Sequence, residues 1–150
     1  MISLDLYGNP IPQARARHVS AGKFTRTYDP LSKEKELCRW QLKSQYRNEA
    51  ITAPVAVFVT FFMPIPKSAS GIKKRQMLHG KIRHIKKPDV DNLQKFVLDC
   101  MNKLVIEDDS QVVEITARKI YSDKPGTSIR VVALSDEENG GQGEDHRRQG

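Results

Sequence analysis

Along residues 2–7 the apolar Ile2, Leu4 and Leu6 alternate with Ser3, Asp5 and Tyr7, the two-residue period of a half-buried strand. Gly8, Asn9 and Pro10 then turn the chain. The following stretch holds Arg15, Arg17, His18, Lys23 and Arg26 among small residues, which predicts an extended, basic, exposed loop or hairpin. Asp29 and Pro30 have the order of an N-cap acid and a proline at the first helical position. The helix they open is expected to reach about Ala50 and to bury Leu37, Cys38, Trp40 and Leu42 in part. After Pro54, residues 55–63 are mostly β-branched or aromatic and apolar on both faces, as in a central strand, and Pro64 and Pro66 end them. A short helix is expected over 72–78. Asp91, with Gln94 three residues on, has the pattern of a variant capping box. Leu93, Phe96, Val97, Cys100, Met101 and Leu104 then follow at helical spacing. Residues 111–121 read as a strand, with Val113, Ile115 and Ala117 on one face and Glu114, Thr116 and Arg118 on the other. Lys124, Pro125 and Gly126 turn it into a last strand over 128–134, and the two are expected to form an antiparallel hairpin. These elements predict one α/β domain of the α+β type over residues 1–134, a mixed sheet packed against two principal helices. Residues 135–150, Gly-rich and charged, are expected to be a disordered tail.

A chain of 150 residues has room for one hydrophobic core. Charge adds a partner. Lys and Arg number 25 against 18 Asp and Glu, a net +7. Because the last fifteen residues hold five acids and two bases, the rest of the chain carries +10. A folded body this basic points to a polyanion, nucleic acid before membrane. Cys38 and Cys100 lack metal-type spacing and fall in expected helices, so they read as buried free thiols of a reducing compartment. The N-terminus has Asp5 and Pro10 where a signal peptide needs an apolar run, and no apolar stretch is long enough to span a bilayer. A cytoplasmic protein is expected. His18, His79, His84 and His146 are scattered and read as surface residues.

Chemistry concentrates in the ten residues Lys86-Lys87-Pro88-Asp89-Val90-Asp91-Asn92-Leu93-Gln94-Lys95. If residues 89–91 are extended, Asp89 and Asp91 project to one side, because strand side chains alternate. Two carboxylates aimed at one spot repel unless a cation lies between them, and hard oxygen ligands suit Mg²⁺ or Mn²⁺ rather than zinc. The competing reading makes Asp91 a helix cap and Asp89 a solvated loop acid, and a DxD pattern alone is compatible with both. The setting favours the metal. The preceding acid is Glu49, and residues 67–88 hold eight bases and no acid. Acids at the edge of a polyphosphate-binding surface cost affinity unless they hold a cation. A third ligand is expected among Glu107, Asp108 and Asp109. At ~1.5 Å per residue, Asn102 lies roughly 16 Å along the helix from Asp91. An extended return covers at most ~3.6 Å per residue, which Asp109 meets within one subunit and Glu107 barely does. Lys95, off the apolar stripe, would either stabilise charge at a scissile phosphate or pair with Asp99 at i,i+4.

KPDVDNLQK, a helix, and then Asp108-Asp109-Ser110-Gln111-Val112-Val113 resemble the RusA family of Holliday-junction resolvases in order and spacing. Gln13-Ala14-Arg15-Ala16-Arg17 resembles the family's basic N-terminal element more loosely. The resemblance runs over roughly residues 10–134; the basic insert at 67–83 and the acidic tail depart from the pattern. It implies a homodimeric, Mg²⁺-dependent endodeoxyribonuclease, often phage- or prophage-encoded, that resolves four-way junctions in DNA recombination and repair. Asp89, Asp91 and Asp109 then match the catalytic metal-binding aspartates, and Lys95 the active-site lysine. Arg15, Arg17, Lys73, Lys74, Arg75, Lys86 and Lys87 would grip the DNA backbone. The rival readings are a non-enzymatic basic DNA-binding protein and a metal nuclease acting on other branched DNA.

Overall fold

Val55–Pro64 lies at the centre of the sheet, with a strand hydrogen-bonded to each of its edges. A computed structural model describes residues 1–14, 17–21 and 24–135 of the chain. In chain order the elements are β1 (Ile2–Tyr7), β2 (Arg17–Ala21), β3 (Phe24–Tyr28), α1 (Ser32–Gln45), β4 (Val55–Pro64), α2 (Gly71–Leu78) and α3 (Val90–Met101). A 3-10 turn (Asp109–Gln111), β5 (Val112–Ser122) and β6 (Gly126–Ala133) complete the described part. The sheet order is β1-β6-β4-β5, with β5 parallel to β4 and the other neighbours antiparallel; β2 and β3 form a separate hairpin in the expected basic stretch. The mixed sheet of an α+β domain is therefore present, with α1 and α3 as its principal helices.

The expected hairpin between the last two strands does not form. β4 is inserted between β5 and β6, so the turn at Lys124 and Pro125 carries the chain across a strand rather than back along one. The cause is burial. β4 is apolar on both faces and gains most from neighbours on both edges, whereas β5 carries Glu114 and Arg118 and is tolerated at the sheet edge. Val113, expected on one face with Ile115 and Ala117, does not share their partial burial. It is 64% exposed, next to the register shift at Val55 and Ala56.

Val57, Val59, Phe61 and Met63 of β4 share one buried cluster with Leu4 and Leu6 of β1 and Ile129 and Val131 of β6. Leu93, Phe96, Val97, Cys100 and Met101 of α3 close this cluster, together with Cys38 and Leu42 of α1. On the other side of β4, Phe58, Thr60 and Phe62 are half-buried, and the Arg130 guanidinium lies 5.2 Å above the Phe58 ring.

Helix α1 is shorter than expected at both ends. Asp29 is not its N-cap; Leu31 is. The Asp29 carboxylate instead accepts the Leu31 N–H at 2.9 Å and pairs with Lys35, and that hydrogen bond from Lys35 holds its carboxyl below the ordinary range. The helix stops at Gln45, where Tyr46 turns extended. Leu37 and Trp40 are 66% and 70% exposed, because the buried stripe is narrow and runs through Cys38 and Leu42. Cys38 and Cys100 are buried free thiols, as expected, where α1 meets α3. The contact with Cys38, with burial, pushes ionisation of Cys100 far up, so it stays a neutral packing group. Among the described residues no helix is long and apolar enough to cross a membrane. Residues 136–150 lie outside the described part, and with them nearly all of the expected tail and His146.

Candidate active site

The segment that ends the acid-free basic stretch opens α3, but not with the cap the sequence suggests. Asp89 is the N-cap, in extended conformation, and Asp91 already lies within the first helical turn. Residues 89–91 are therefore not one extended run, and the capping box of Asp91 and Gln94 is absent. The Asp89 carboxylate makes no capping hydrogen bond. Asp91 is instead paired with Lys95, at 3.5 Å, one turn along the helix. Both side chains of that pair are more than half exposed, 67% and 60%, so it contributes little to stability and leaves both groups accessible. The expected pairing of Lys95 with Asp99 does not occur, because Asp99 is bound by Lys35 from α1. Two exposed carboxylates thus stand at the N-terminal turn of α3, with the Lys95 ammonium one turn further on. The unpaired backbone N–H groups and positive end of the helix dipole favour negative charge there.

Of the three downstream acids, two are engaged. Glu107 pairs with Lys103 at 3.2 Å. Asp108 caps the 3-10 turn, accepting from Ser110 N–H at 3.0 Å, while the Gln111 Oε1 accepts from Asp108 N–H at 2.7 Å. That capping box answers to no sequence expectation, although Asp108 and Gln111 have the required spacing. Asp109 is exposed and makes no side-chain hydrogen bond or ion pair among the described residues. Hydrogen bonds from Ser110 hold the Asp108 carboxyl below its ordinary value. A group lowered in the folded state stabilises above its unfolded pKa of ~3.9 and loses that contribution as pH falls through the lowered value. Asp108→Ala should therefore lower the melting temperature slightly at neutral pH, and the difference from the unsubstituted chain should fade as the medium is acidified below the carboxylate range. A difference of constant size across that titration would remove the charged cap as its cause.

The reach available from Asn102 to Asp109 is not used to return along α3. Ile106 forms bridges to both Ile51 and Asn102, and Glu107 N–H donates to Ile51 O at 3.1 Å. Gln111 Nε2 donates to Ile51 O and Ala53 O, each at 2.8 Å. Residues 102–111 are thereby pinned where β4 and β5 begin. Asp89 is held at the other end. The Lys119 ammonium donates to Lys86 O at 2.8 Å and Pro88 O at 2.9 Å, and Lys119 pairs with Phe61, far along both strands. Asp89 and Asp109 thus flank opposite ends of α3, which at ~1.5 Å per residue is roughly 18 Å long. Among the described residues no three His, Cys, Asp or Glu side chains come together in a group able to hold a metal ion.

The basic residues fall in two groups. Lys73, Lys74 and Arg75 are exposed on α2, and Lys86 and Lys87 are exposed just before Asp89. Arg15 lies outside the described residues; Arg17 begins β2, and its side chain is not described. Just ahead of them, Gln13 N–H donates to Asn92 O at 2.9 Å, which ties the chain at residue 13 to the first turn of α3. Lys119 is a positioning residue with no counterpart among the sequence expectations, and Gln13, expected only as part of the basic element, acts through its backbone N–H. Lys119 could have been noticed as a charge on the Ile115 and Ala117 face of its strand. His84 is not a simple surface residue: it is half-buried, its ring centroid is 5.0 Å from that of Tyr121, and burial lowers its pKa.

A profile of the family described as Endodeoxyribonuclease RusA matches residues 7–132. The chain belongs to the RusA family. The match takes in the β2–β3 hairpin, the start of α3 and the 3-10 turn, and so includes Asp89, Asp91, Lys95 and Asp109. The chain is 37% identical over 139 residues to Uncharacterized protein YqaN of Bacillus subtilis (strain 168), covering 89% of this chain and 97% of that protein. It is 24% identical over 135 residues to the crossover junction endodeoxyribonuclease RusA of Aquifex aeolicus (strain VF5), covering 87% and 92%. Membership in the RusA family implies endodeoxyribonuclease activity.

Proposed function

We propose that this protein is a metal-dependent endonuclease that resolves four-way DNA junctions by paired nicks, acting as a homodimer in recombination and repair. The observation that carries the reading is the first turn of α3. There Asp89 and Asp91, neither spent on capping, sit with Lys95 at the end of a long basic segment of a RusA-family chain. The junction as substrate comes from the likeness to the Aquifex aeolicus crossover junction enzyme.

The donors are hard carboxylate oxygens, which fit Mg²⁺ or Mn²⁺ in kind. One copy supplies two of them at α3, and the third, Asp109, lies at the helix's far end, free of hydrogen-bond partners among the described residues. The set is completed if Asp109 comes from a second copy. When bound, the ion supplies Lewis acidity toward a phosphoryl oxygen and activation of a water. The chain's own groups do the rest. The Lys95 ammonium adds positive charge where the phosphate becomes more negative, and the N–H groups at the α3 terminus point toward the same place. Lys119 holds the carbonyls of Lys86 and Pro88 and so fixes the approach to Asp89. Lys73, Lys74, Arg75, Lys86, Lys87, Arg15 and Arg17 bind the phosphate backbone without reading bases. A four-way junction has approximate two-fold symmetry, so a symmetric dimer presents two sites to two strands.

Incubation of the protein with a fixed-core four-way junction, a flap and a plain duplex tests this, with Mg²⁺ or Mn²⁺ and again with chelator. Paired, symmetric nicks confined to the junction and absent with chelator are expected. Binding without cutting would make the protein a DNA-binding module, and equal cutting of the flap would make it a general branched-DNA nuclease. Cutting that resists chelator would remove the metal.

A further inference from the structure

Residues 81–88 lead from α2 to Asp89 without helix or strand, yet the fold grips them at several points. Lys81 N–H donates to Gln76 O at 2.8 Å, Ile82 packs against the core, and the His84 ring lies against Tyr121. Lys119 then holds the carbonyls of Lys86 and Pro88. The side chains between these anchors are exposed. Lys81, Arg83, Lys86 and Lys87 make no ion pair among the described residues. Among these cations stands Ile85, which is 89% exposed. Leu78 and Ile120, the other exposed large apolar side chains nearby, are at least half covered. Ile85 therefore adds almost no apolar burial to the fold, and it sits on the surface that runs into Asp89.

Cations that meet phosphates bind duplex and branched DNA alike, so they do not tell a junction from its arms. An apolar side chain among them suits another part of the nucleic acid. Isoleucine has no group to offer a phosphate or a base edge, but it fills the space between two unstacked bases. In a duplex that space opens only against continuous stacking. At a branch point the flanking base pairs have already lost a stacking neighbour, and opening costs less. We propose that Ile85 is a wedge that enters the base stack at the branch point, while Lys81, Arg83, Lys86 and Lys87 hold the phosphates around it. This role rests on the junction reading above and adds to it the group that senses branching.

Its place in the chain ties recognition to the acids. Ile85 precedes Asp89 by four residues, at most ~3.6 Å each, so the two lie within roughly 14 Å. Steps along one DNA strand advance about 3.4 Å, so a seated wedge leaves Asp89 within about four nucleotides of the branch point. The grip of Lys119 on the Lys86 and Pro88 carbonyls, between the two residues, keeps that spacing fixed. On a plain duplex the wedge finds no opening, and phosphate contacts alone fix no strand in register at the acids.

A four-way junction with a fluorescent aminopurine base beside the branch point tests this, in chelator so that binding is read apart from cutting. The emission of that base rises when it unstacks. At protein concentrations that saturate the gel shift, the unsubstituted chain should raise it on the junction and not on a duplex with the same label. Ile85→Ala should still shift the junction but lower the rise about ten-fold or more, since most of the apolar contact is lost. Ile85→Leu should keep the rise. Neither substitution should move the melting temperature, because the side chain is almost fully exposed. Arg83→Ala should instead weaken binding to junction and duplex alike and reduce its salt slope by about one. A full rise with Ile85→Ala, or none with the unsubstituted chain, would overturn the wedge. So would a change in sedimentation on Ile85→Ala, which would make position 85 a contact between copies. Junction cutting with Mg²⁺ and no Ile85-dependent rise would leave the nuclease reading standing without the wedge. An Ile85-dependent rise from a protein that cuts no DNA would uphold the wedge and overturn the nuclease reading.

Discussion

Asp89→Asn is expected to remove junction cleavage, by roughly 10³-fold or more if the ion supplies both charge neutralisation and the activated water. Junction binding is expected to survive and even to tighten. The substitution is nearly isosteric at an exposed position whose side chain makes no capping hydrogen bond, so the fold has little to lose. It also removes one negative charge beside Lys86, Lys87 and the N-terminus of α3, where the DNA backbone would lie. Binding measured by gel shift in chelator, and cleavage measured with Mg²⁺, separate the two effects. Loss of both together would show a folding or docking role for Asp89. Undiminished cutting would sink the metal site.

Mixing two inactive variants should restore activity. With Asp89 and Asp109 at opposite ends of α3, each proposed site draws on both copies. A dimer of one Asp89→Asn chain and one Asp109→Asn chain then has one site missing both acids and one site with all of them. Under random exchange half of the dimers are mixed and half of their sites are intact, so about a quarter of the nicking returns. The product should be single nicks rather than paired resolution, because only one site per dimer works. If each site were built within one chain, every site in the mixture would lack an acid and no activity would return. The measurement needs no knowledge of which surfaces pair.

Much of the fold was legible because it depends on local periodicity. The two-residue alternation of Ile2, Leu4 and Leu6, the unbroken apolar run after Pro54 and the helical stripe from Leu93 to Met101 all became the elements they suggested. Errors came where non-local contacts compete with local signals. Lys124, Pro125 and Gly126 do make a turn, but a turn signal carries no information about which strand lies between its arms. Pairing was settled by β4, which needs neighbours on both edges. Asp29 has the sequence of a cap, yet Lys35 and Asp99 draw it into an ion-pair network and the helix starts later. Trp40, apolar by type, faces outward because the stripe of α1 that meets the sheet is narrow.

The candidate site divides in the same way. Asp89 and Asp91 were visible from two residues' spacing and from the lack of other acids between Glu49 and Pro88, both properties of the chain alone. By itself the sequence determined that two carboxylates and Lys95 stand at one helix start beside a basic run, since helical periodicity links residues so close in the chain. It could not decide how Asp91 is used, which of Glu107, Asp108 and Asp109 stays free, or where that acid lies. Hydrogen bonds to Ser110 and Lys103 occupy two of the three, and anchoring of residues 102–111 to Ile51 and Ala53 sets Asp109 at the far end of α3. Chain length sets only how far a segment can reach; the partners it finds on folding decide where it goes. That is why only the tertiary structure separates Asp109 from Asp89.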